Sequence, residues 1–266
     1  MSIDVEVGRL RAAPPAAHGL SSRQQSLIGV VALLVLLPFV LRMEPRNFLP
    51  FTDLGIWRFL AEGVLTVLLI SAVAIVLSLP LAVLLALGRL SARPALRLPA
   101  IALVEGIRAI PLLLLIFYVF LNIPRDVPAL VSRESLALTL ALLVYTAAIN
   151  AETLRAGILA LDRGQMEAAR SLGLSHAAAL RYVVLPQAFR NTLPPLLAQF
   201  TTLVKDTSLG LAIGMVELLS RGRIIYQGER NPMETLYVVA LLYFVVNFIL
   251  EQASLATQRG GPAPQQ

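Results

Sequence analysis

The chain has 266 residues, of which 57% are hydrophobic and 14% are charged, and its formal net charge is +6. A soluble domain carries about a quarter charged residues, so this composition excludes an ordinary soluble domain and predicts an integral membrane protein. The arginines are scattered between apolar runs, which argues against nucleic acid as a partner, and the absence of cysteine together with two distant histidines argues against a metal site.

The apolar runs predict an all-α, polytopic transmembrane protein with six passes. Residues 1–25 show no apolar period and are predicted to form a disordered cytoplasmic tail. The run at 26–41 has no cleavage site after it, which predicts an extra N-terminal transmembrane helix. The remaining passes are predicted at 59–90, 98–121, 135–158, 186–219 and 234–253, and a second disordered tail is predicted at 256–266.

An even number of passes places both termini on one side of the membrane. The side that carries the polar 162–185 segment has more arginines near the ends of passes than the opposite side. Because positive charge marks the cytoplasmic side, we expect both termini to be cytoplasmic.

The run at 186–219 contains the only lysine, in the stretch "VKDTSLG". As one helix this run would be about 50 Å long, which exceeds the roughly 30 Å hydrocarbon core, so it must break. Asp206, Thr207 or Ser208 can cap a new helix there, and Lys205 can pair with Asp206 or Glu217. Two interpretations stay open: the break lies at the outer membrane surface, or it lies within the membrane beside a substrate path.

The 162–185 segment predicts two short helices, with Gly173 as a left-handed stop for the first and Ser175 as the cap of the second. Met166, Ala169 and Leu172 recur at helical spacing and predict a small, shallow apolar face, suited to docking into a groove of another protein. A DNA-reading pair of helices does not fit, because the segment is tethered to membrane passes at both ends and is not strongly basic.

The spacing of Glu167-Ala168-Ala169, Gly173 and Leu185-Pro186 resembles the "EAA" loop of binding-protein-dependent ABC importer permeases. Other stretches resemble the polar amino-acid branch of that family, which includes histidine, glutamine and glutamate permeases. They are "EGIRAIPLLLLIF", "YTAAINAETLRAGI", "GQMEAARSLGLS", "LPQAFRNTLPPLLAQFTTLVKDTSL" and "IGMVELL". The resemblance covers about residues 59–255.

This resemblance implies a type I importer permease fold, with a five-helix core at 59–255, a cytoplasmic coupling loop at 162–185 and one extra helix before the core. It implies a multi-pass protein of the bacterial inner membrane that takes up polar amino acids by alternating access. The implied partners are a cytoplasmic ABC ATPase dimer, a second permease subunit in a homo- or heterodimer, a periplasmic amino-acid-binding protein and membrane lipid. The chain lacks a G-x-x-x-x-G-K-[ST] phosphate loop. We therefore predict that it is not an enzyme, has no catalytic residues and binds no cofactor. ATP and Mg are expected on the partner ATPase.

Two sets of candidate residues follow from the resemblance. The ATPase-coupling set is Gly164, Glu167, Ala168, Ala169, Gly173, Leu185 and Pro186. The substrate-path set is Asp206, Gln199, Lys205 and Ser208. Alternatively, Glu167 is an exposed helix charge paired with Arg163 or Arg170, and Asp206 is a purely structural cap.

Four further polar residues lie in predicted passes. Glu105 and Arg108 are three residues apart, which predicts an ion pair on one helical face, and helix–helix hydrogen bonding accounts for Asn150 and Glu152. A rival function is an ion-gradient-driven secondary amino-acid transporter, but the sequence shows neither an internal repeat nor a set of ion ligands.

Overall fold

The computed structural model describes residues 42–125, 131–161 and 163–259, and this part of the chain is helical and contains no strand. The chain divides into two compact units, Met1–Asn47 and Phe48–Gln266, and only residues 42–47 of the first are described. The tail predicted at 1–25 and the helix predicted at 26–41 lie outside the described residues. The predicted all-α class is confirmed.

A 3-10 helix spans Pro45–Thr52, and nine α-helices follow among the described residues. They are α1 Leu54–Leu90, α2 Pro94–Ala109, α3 Leu112–Asn122, α4 Arg133–Leu159, α5 Arg163–Ser171, α6 His176–Ala179, α7 Leu185–Asp206, α8 Leu218–Glu229 and α9 Pro232–Arg259. A π-helical turn, Leu180–Val184, joins α6 to α7, and a 3-10 helix, Thr207–Ile213, follows α7. Because α9 continues to Arg259, the tail predicted from residue 256 begins too early, and residues 260–266 lie outside the described part.

Three helices, α1, α4 and α9, are long and apolar enough to cross a membrane, and the pair α2 and α3 makes up to a fourth crossing with a bend of 105°. The pass predicted at 98–121 is therefore broken into two helices, α2 and α3. Ile110 is extended (φ −83°, ψ 128°) and precedes Pro111, where α3 begins. Proline lacks an amide hydrogen and disfavours helical backbone at the residue before it, so the helix has to end there.

The helix α7 has 22 residues but is not apolar enough to count as a crossing by itself. It carries Asn191, Thr192 and Gln199, and Thr192 is buried against neighbouring helices. The pass predicted at 186–219 is therefore not one apolar crossing, and polar groups such as Thr192 are tolerated where a helix packs against protein. The predicted break within the run is confirmed, since α7 ends at Asp206.

Small residues let the helices approach closely around α4. Ala74, Ala82 and Ala148 are completely buried where α1 lies along α4. A Cβ atom added to Gly157 of α4 would lie 2.2 Å from Cγ2 of Thr192 in α7. Close packing through small side chains is the usual way in which transmembrane helices associate. The central helix α4 therefore fixes the positions of α1 and α7.

Candidate functional site

The helices α5 and α6, with the turn between them, form a helical hairpin at one end of the bundle. Gly173 has φ +86°, and the amide of Leu174 donates to the carbonyl of Ala169 at 3.2 Å, which closes the end of α5. Ser175 Oγ accepts from the amide of Ala178 at 3.2 Å and caps α6. Both predicted signals, the left-handed stop and the serine cap, are confirmed.

The exposed surface of the hairpin differs from the predicted one. Ala169 is only 4% exposed, in a helix that packs against α6 and the π-helical turn, and Met166 is half-buried and lines a cleft beside the end of α1. Leu172 is 85% exposed. The prediction of one docking face through Met166, Ala169 and Leu172 is wrong, because tertiary packing uses the first two residues to seat the hairpin.

The predicted coupling residues are nevertheless close together on the hairpin and the start of α7. Gly164, Glu167, Ala168, Gly173 and Pro186 are exposed, and Leu185 is half-buried. Arg170 forms no ion pair with Glu167, while the side chain of Arg163 lies outside the described part of the chain. The exposed carboxylate of Glu167 is therefore presented on the outer surface of α5.

The π-helical turn connects this hairpin directly to α7. The amide of Leu185 donates to the carbonyl of Leu180, five residues back, and Pro186 follows without an amide hydrogen of its own. Gln187 Nε2 donates to Gln165 Oε1 at 3.2 Å and joins the first turn of α7 to α5. The hairpin and the start of α7 are therefore linked by both main-chain and side-chain hydrogen bonds.

The far end of α7 is built differently from the predicted capped break. Asp206 keeps a helical conformation (φ −66°, ψ −22°) and its side chain makes no capping hydrogen bond. The hydroxyls of Thr207 and Ser208 donate back to the carbonyls of Val204 and Lys205, both at 2.8 Å. Capping by Asp206, Thr207 or Ser208 was a wrong prediction, since an N-cap needs extended backbone and the chain here tightens into a 3-10 helix.

Glu217 caps the next α-helix, in place of the predicted Asp206, Thr207 or Ser208. It begins α8, is completely buried, and accepts from the amides of Leu219 and Ser220 at 2.8 Å. The hydroxyl of Tyr243 in α9 also donates to it at 2.9 Å. Lys205 forms an ion pair with neither Asp206 nor Glu217, and its side chain is exposed.

A network of five charged side chains lies between α1, α2 and α4. Arg89 Nη2 is 2.8 Å from Glu105 Oε1, and Arg89 Nη1 is 2.9 Å from Glu152 Oε2. The predicted pair of Glu105 and Arg108 is confirmed at 3.5 Å, and Arg155 Nη2 is 2.6 Å from Glu152 Oε1. From the sequence, Arg89 was counted only as a positive charge near the end of a pass. Its two partners lie too far along the chain for any local signal to reveal them.

A helix–helix hydrogen bond lies in the same region. Asn150 Nδ2 donates to Ser78 Oγ at 3.4 Å, as the prediction of helix–helix bonding requires.

A polar cavity of about 800 Å³ lies between this network and α7. Its lining includes Arg108 and Glu152 from the network and Asn191 and Thr192 from α7. Gln199, two turns beyond Asn191, is half-buried, and its Nε2 is buried without a hydrogen-bond partner among the described residues. The lining of the cavity thus carries both signs of charge, at Arg108 and Glu152, and Gln199 lies beyond the lining residues along α7.

Residues 78–255 match the family described as binding-protein-dependent transport system inner membrane component. The chain belongs to this family. It is a membrane-spanning permease subunit of the ABC importer class, and the match includes the hairpin, the charged network and the break after α7.

Several curated relatives share most of this permease. The probable glutamine ABC transporter permease protein GlnP of Bacillus subtilis is 37% identical over 205 residues, which cover 76% of this chain and 91% of the relative. The L-cystine transport system permease protein TcyB of Bacillus subtilis is 31% identical over 204 residues, covering 76% of this chain and 86% of the relative.

Solved structures confirm the importer permease fold. A crystal structure of an amino acid ABC transporter with histidines matches with a TM-score of 0.70 and 29% identity, covering 79% of this chain and 97% of that chain. An inward-facing structure of the MetNI methionine ABC transporter matches with a TM-score of 0.60 at 22% identity, covering 77% of this chain and 98% of that chain, and supports the fold alone. None of these matched proteins supports the alternative of an ion-driven secondary transporter.

Proposed function

We propose that this permease takes up polar amino acids from the periplasm, with energy from a separate cytoplasmic ATPase. The observation that carries the proposal is the helical hairpin with its left-handed turn at Gly173 and the exposed side chain of Glu167. The substrate class is supported by the relatives and the solved structure that are named for glutamine, cystine and histidine.

The hairpin is the proposed contact with the ATPase dimer. A groove on the ATPase would receive Leu172 and the exposed side of α5, with Glu167 and Ala168 at the contact. The bond between Gln187 and Gln165 and the π-helical turn then carry movement of the hairpin into α7. This assignment places the hairpin and both termini in the cytoplasm, and it leaves ATP and Mg on the ATPase, with no cofactor on this chain.

Alternating access needs a second permease subunit, identical or related, and the open polar cavity supports this part of the proposal. One wall of the cavity comes from α4 and another from α7. A wet cavity that a second subunit encloses would shield a charged solute from lipid while it crosses. The dimer is thus proposed to form across the open side of the cavity.

The substrate path is proposed to run along α7 from the cavity to Asp206. Thr192, Pro195 and Gln199 recur at three- and four-residue steps on one face, and Asp206 lies seven residues further on. Over this length the helix rises about 20 Å, most of the hydrocarbon thickness. An amino acid carries one ammonium and one carboxylate group, and the path offers carboxylates at Glu152 and Asp206 and a guanidinium at Arg108. Lys205 and Ser208 flank Asp206 at its outer end.

Replacing Asp206 by asparagine should raise the KM for uptake about tenfold or more while leaving the thermal unfolding temperature unchanged. The carboxylate makes no capping hydrogen bond, so its removal costs little stability, whereas a lost charge-assisted contact to the substrate ammonium is worth about 1.5–3 kcal/mol. Uptake kinetics in proteoliposomes measure the effect, and Asp53→Asn, which alters an exposed carboxylate that caps α1, is the matched control. Unchanged KM in the Asp206 variant would remove Asp206 from the path.

The proposed function is tested by reconstituting the permease with the ATPase and binding protein encoded beside it. We expect accumulation of labelled glutamine, glutamate, histidine or cystine that requires both ATP and the binding protein. Accumulation driven by a sodium or proton gradient without ATP would contradict the proposal.

A further inference from the structure

Two apolar clefts lie side by side at the hairpin end of the bundle. The larger has a volume of about 980 Å³ and lies between the end of α1, the start of α2 and the hairpin. The smaller, of about 400 Å³, lies between α1, α4 and the start of α7. Leu87 and Ile158 line both clefts, so the two are neighbours that share a wall.

The rims of these clefts carry basic side chains. Arg93 and His176 line the larger cleft, and Arg181 and Arg190 line the smaller. All four side chains are exposed, and none of the described residues that line either cleft is acidic. An apolar floor with a basic rim is complementary to a molecule that has an apolar body and an anionic end.

The clefts also lie at the depth where phospholipid headgroups are found. The helix α1 is about 55 Å long, so its last turns reach the membrane surface if its apolar middle occupies the roughly 30 Å core. Leu84 and Leu103 line the larger cleft, and both side chains are exposed. Acyl chains can therefore enter from the membrane, while the arginines stay in the headgroup region.

We propose that these clefts bind one anionic phospholipid, with its acyl chains against Leu87 and Ile158 and its phosphate among the rim arginines. Because Met166 and His176 of the hairpin line the larger cleft, the bound lipid bridges the membrane helices and the hairpin. The site lies apart from the polar cavity and the substrate path.

Native mass spectrometry of the detergent-purified complex tests this site with phosphatidylglycerol and phosphatidylcholine as probes. We expect retention of phosphatidylglycerol in preference to phosphatidylcholine. Arg93→Gln combined with Arg190→Gln removes one cation from each cleft and should weaken phosphatidylglycerol binding about 25-fold, at about fivefold per arginine. The matched control is Arg58→Gln with Arg223→Gln, which removes two exposed arginines at the other end of α1 and on α8, and should leave binding within about twofold.

A phosphatidylglycerol with a photoreactive acyl chain gives a second measurement that needs no variant. We expect labelled peptides from the end of α1, the start of α2 and the hairpin. Even labelling over the whole apolar surface, including the exposed Phe244 and Phe248 of α9, would overturn the proposal, as would equal binding of both lipids or equal loss in both double variants. Binding is measured without transport, so failure of the proposed transport function would leave this test unaffected.

Discussion

Replacement of Gly173 by valine should reduce ATP-driven uptake more than about tenfold while the membrane helices stay folded. The φ of +86° is open to glycine but strained by about 1–2 kcal/mol or more for a β-branched residue. A Cβ atom at this position would meet nothing within 4 Å, so the strain is purely conformational and the turn relieves it by changing shape. The changed turn moves the end of α5, and with it Glu167, away from the position in which the ATPase groove can receive the hairpin. Uptake and ATPase activity in proteoliposomes measure the loss.

Two variants separate conformation from size at this turn. Gly173→Asn adds a side chain that tolerates the left-handed region and should keep much of the uptake. Gly106→Val adds the same side chain as the test variant at a position in α2 that is equally open but has no positive φ, and it should keep uptake nearly unchanged. Equal loss in the valine and asparagine variants of Gly173 would contradict the conformational explanation.

Replacement of Glu152 by glutamine should lower the free energy of unfolding by about 3 kcal/mol, the low end of the range for breaking a buried ion pair. Glu152 is 28% exposed and binds both Arg89, which is 10% exposed, and Arg155. Without it, three arginines share the single remaining carboxylate of Glu105, and the buried guanidinium of Arg89 loses one of its two partners. Thermal unfolding in detergent measures the change.

Removing the excess charge should restore part of this stability. Glu152→Gln combined with Arg89→Met removes the most buried of the three arginines, so the double variant should be more stable than the single one. Glu62→Gln is the matched control, because Glu62 also lies 2.8 Å from an arginine, Arg221, but is 66% exposed. Arg221 keeps a bond to the Phe59 carbonyl at 2.9 Å, so we expect a cost within about 1 kcal/mol. Equal losses for Glu152 and Glu62 would contradict a special role of the buried network.

Local sequence signals predicted the hairpin well. The left-handed stop at Gly173 and the cap at Ser175 each depend on a few consecutive residues, and both are where they were expected. The pass at 98–121 was predicted from hydrophobicity, which does not report bends. The bend between α2 and α3 has a local signal of its own, Pro111.

Features that depend on distant residues could not be predicted in the same way. Arg89 pairs with carboxylates on two other helices. Met166 and Ala169 were predicted to face outward, because a shallow apolar face has the same sequence pattern whether it contacts a partner or its own protein. The prediction that Asp206 caps a helix was wrong for a related reason. Thr207 is completely buried beside it, and Glu217, bonded to Tyr243 of α9, takes over the cap of the next α-helix.

The central claim is that the helical hairpin couples this permease to an ATPase, and co-purification tests it most directly. The permease would be expressed in detergent-extractable form with the ATPase and permease subunits encoded beside it, as wild type, as Glu167→Arg and as a control, Glu229→Arg, at the exposed end of α8. We predict a stoichiometric ATPase with the wild type and the control, and its loss with Glu167→Arg. A folded Glu167→Arg permease that retains the ATPase, or a wild type that purifies without it, would contradict coupling through this surface.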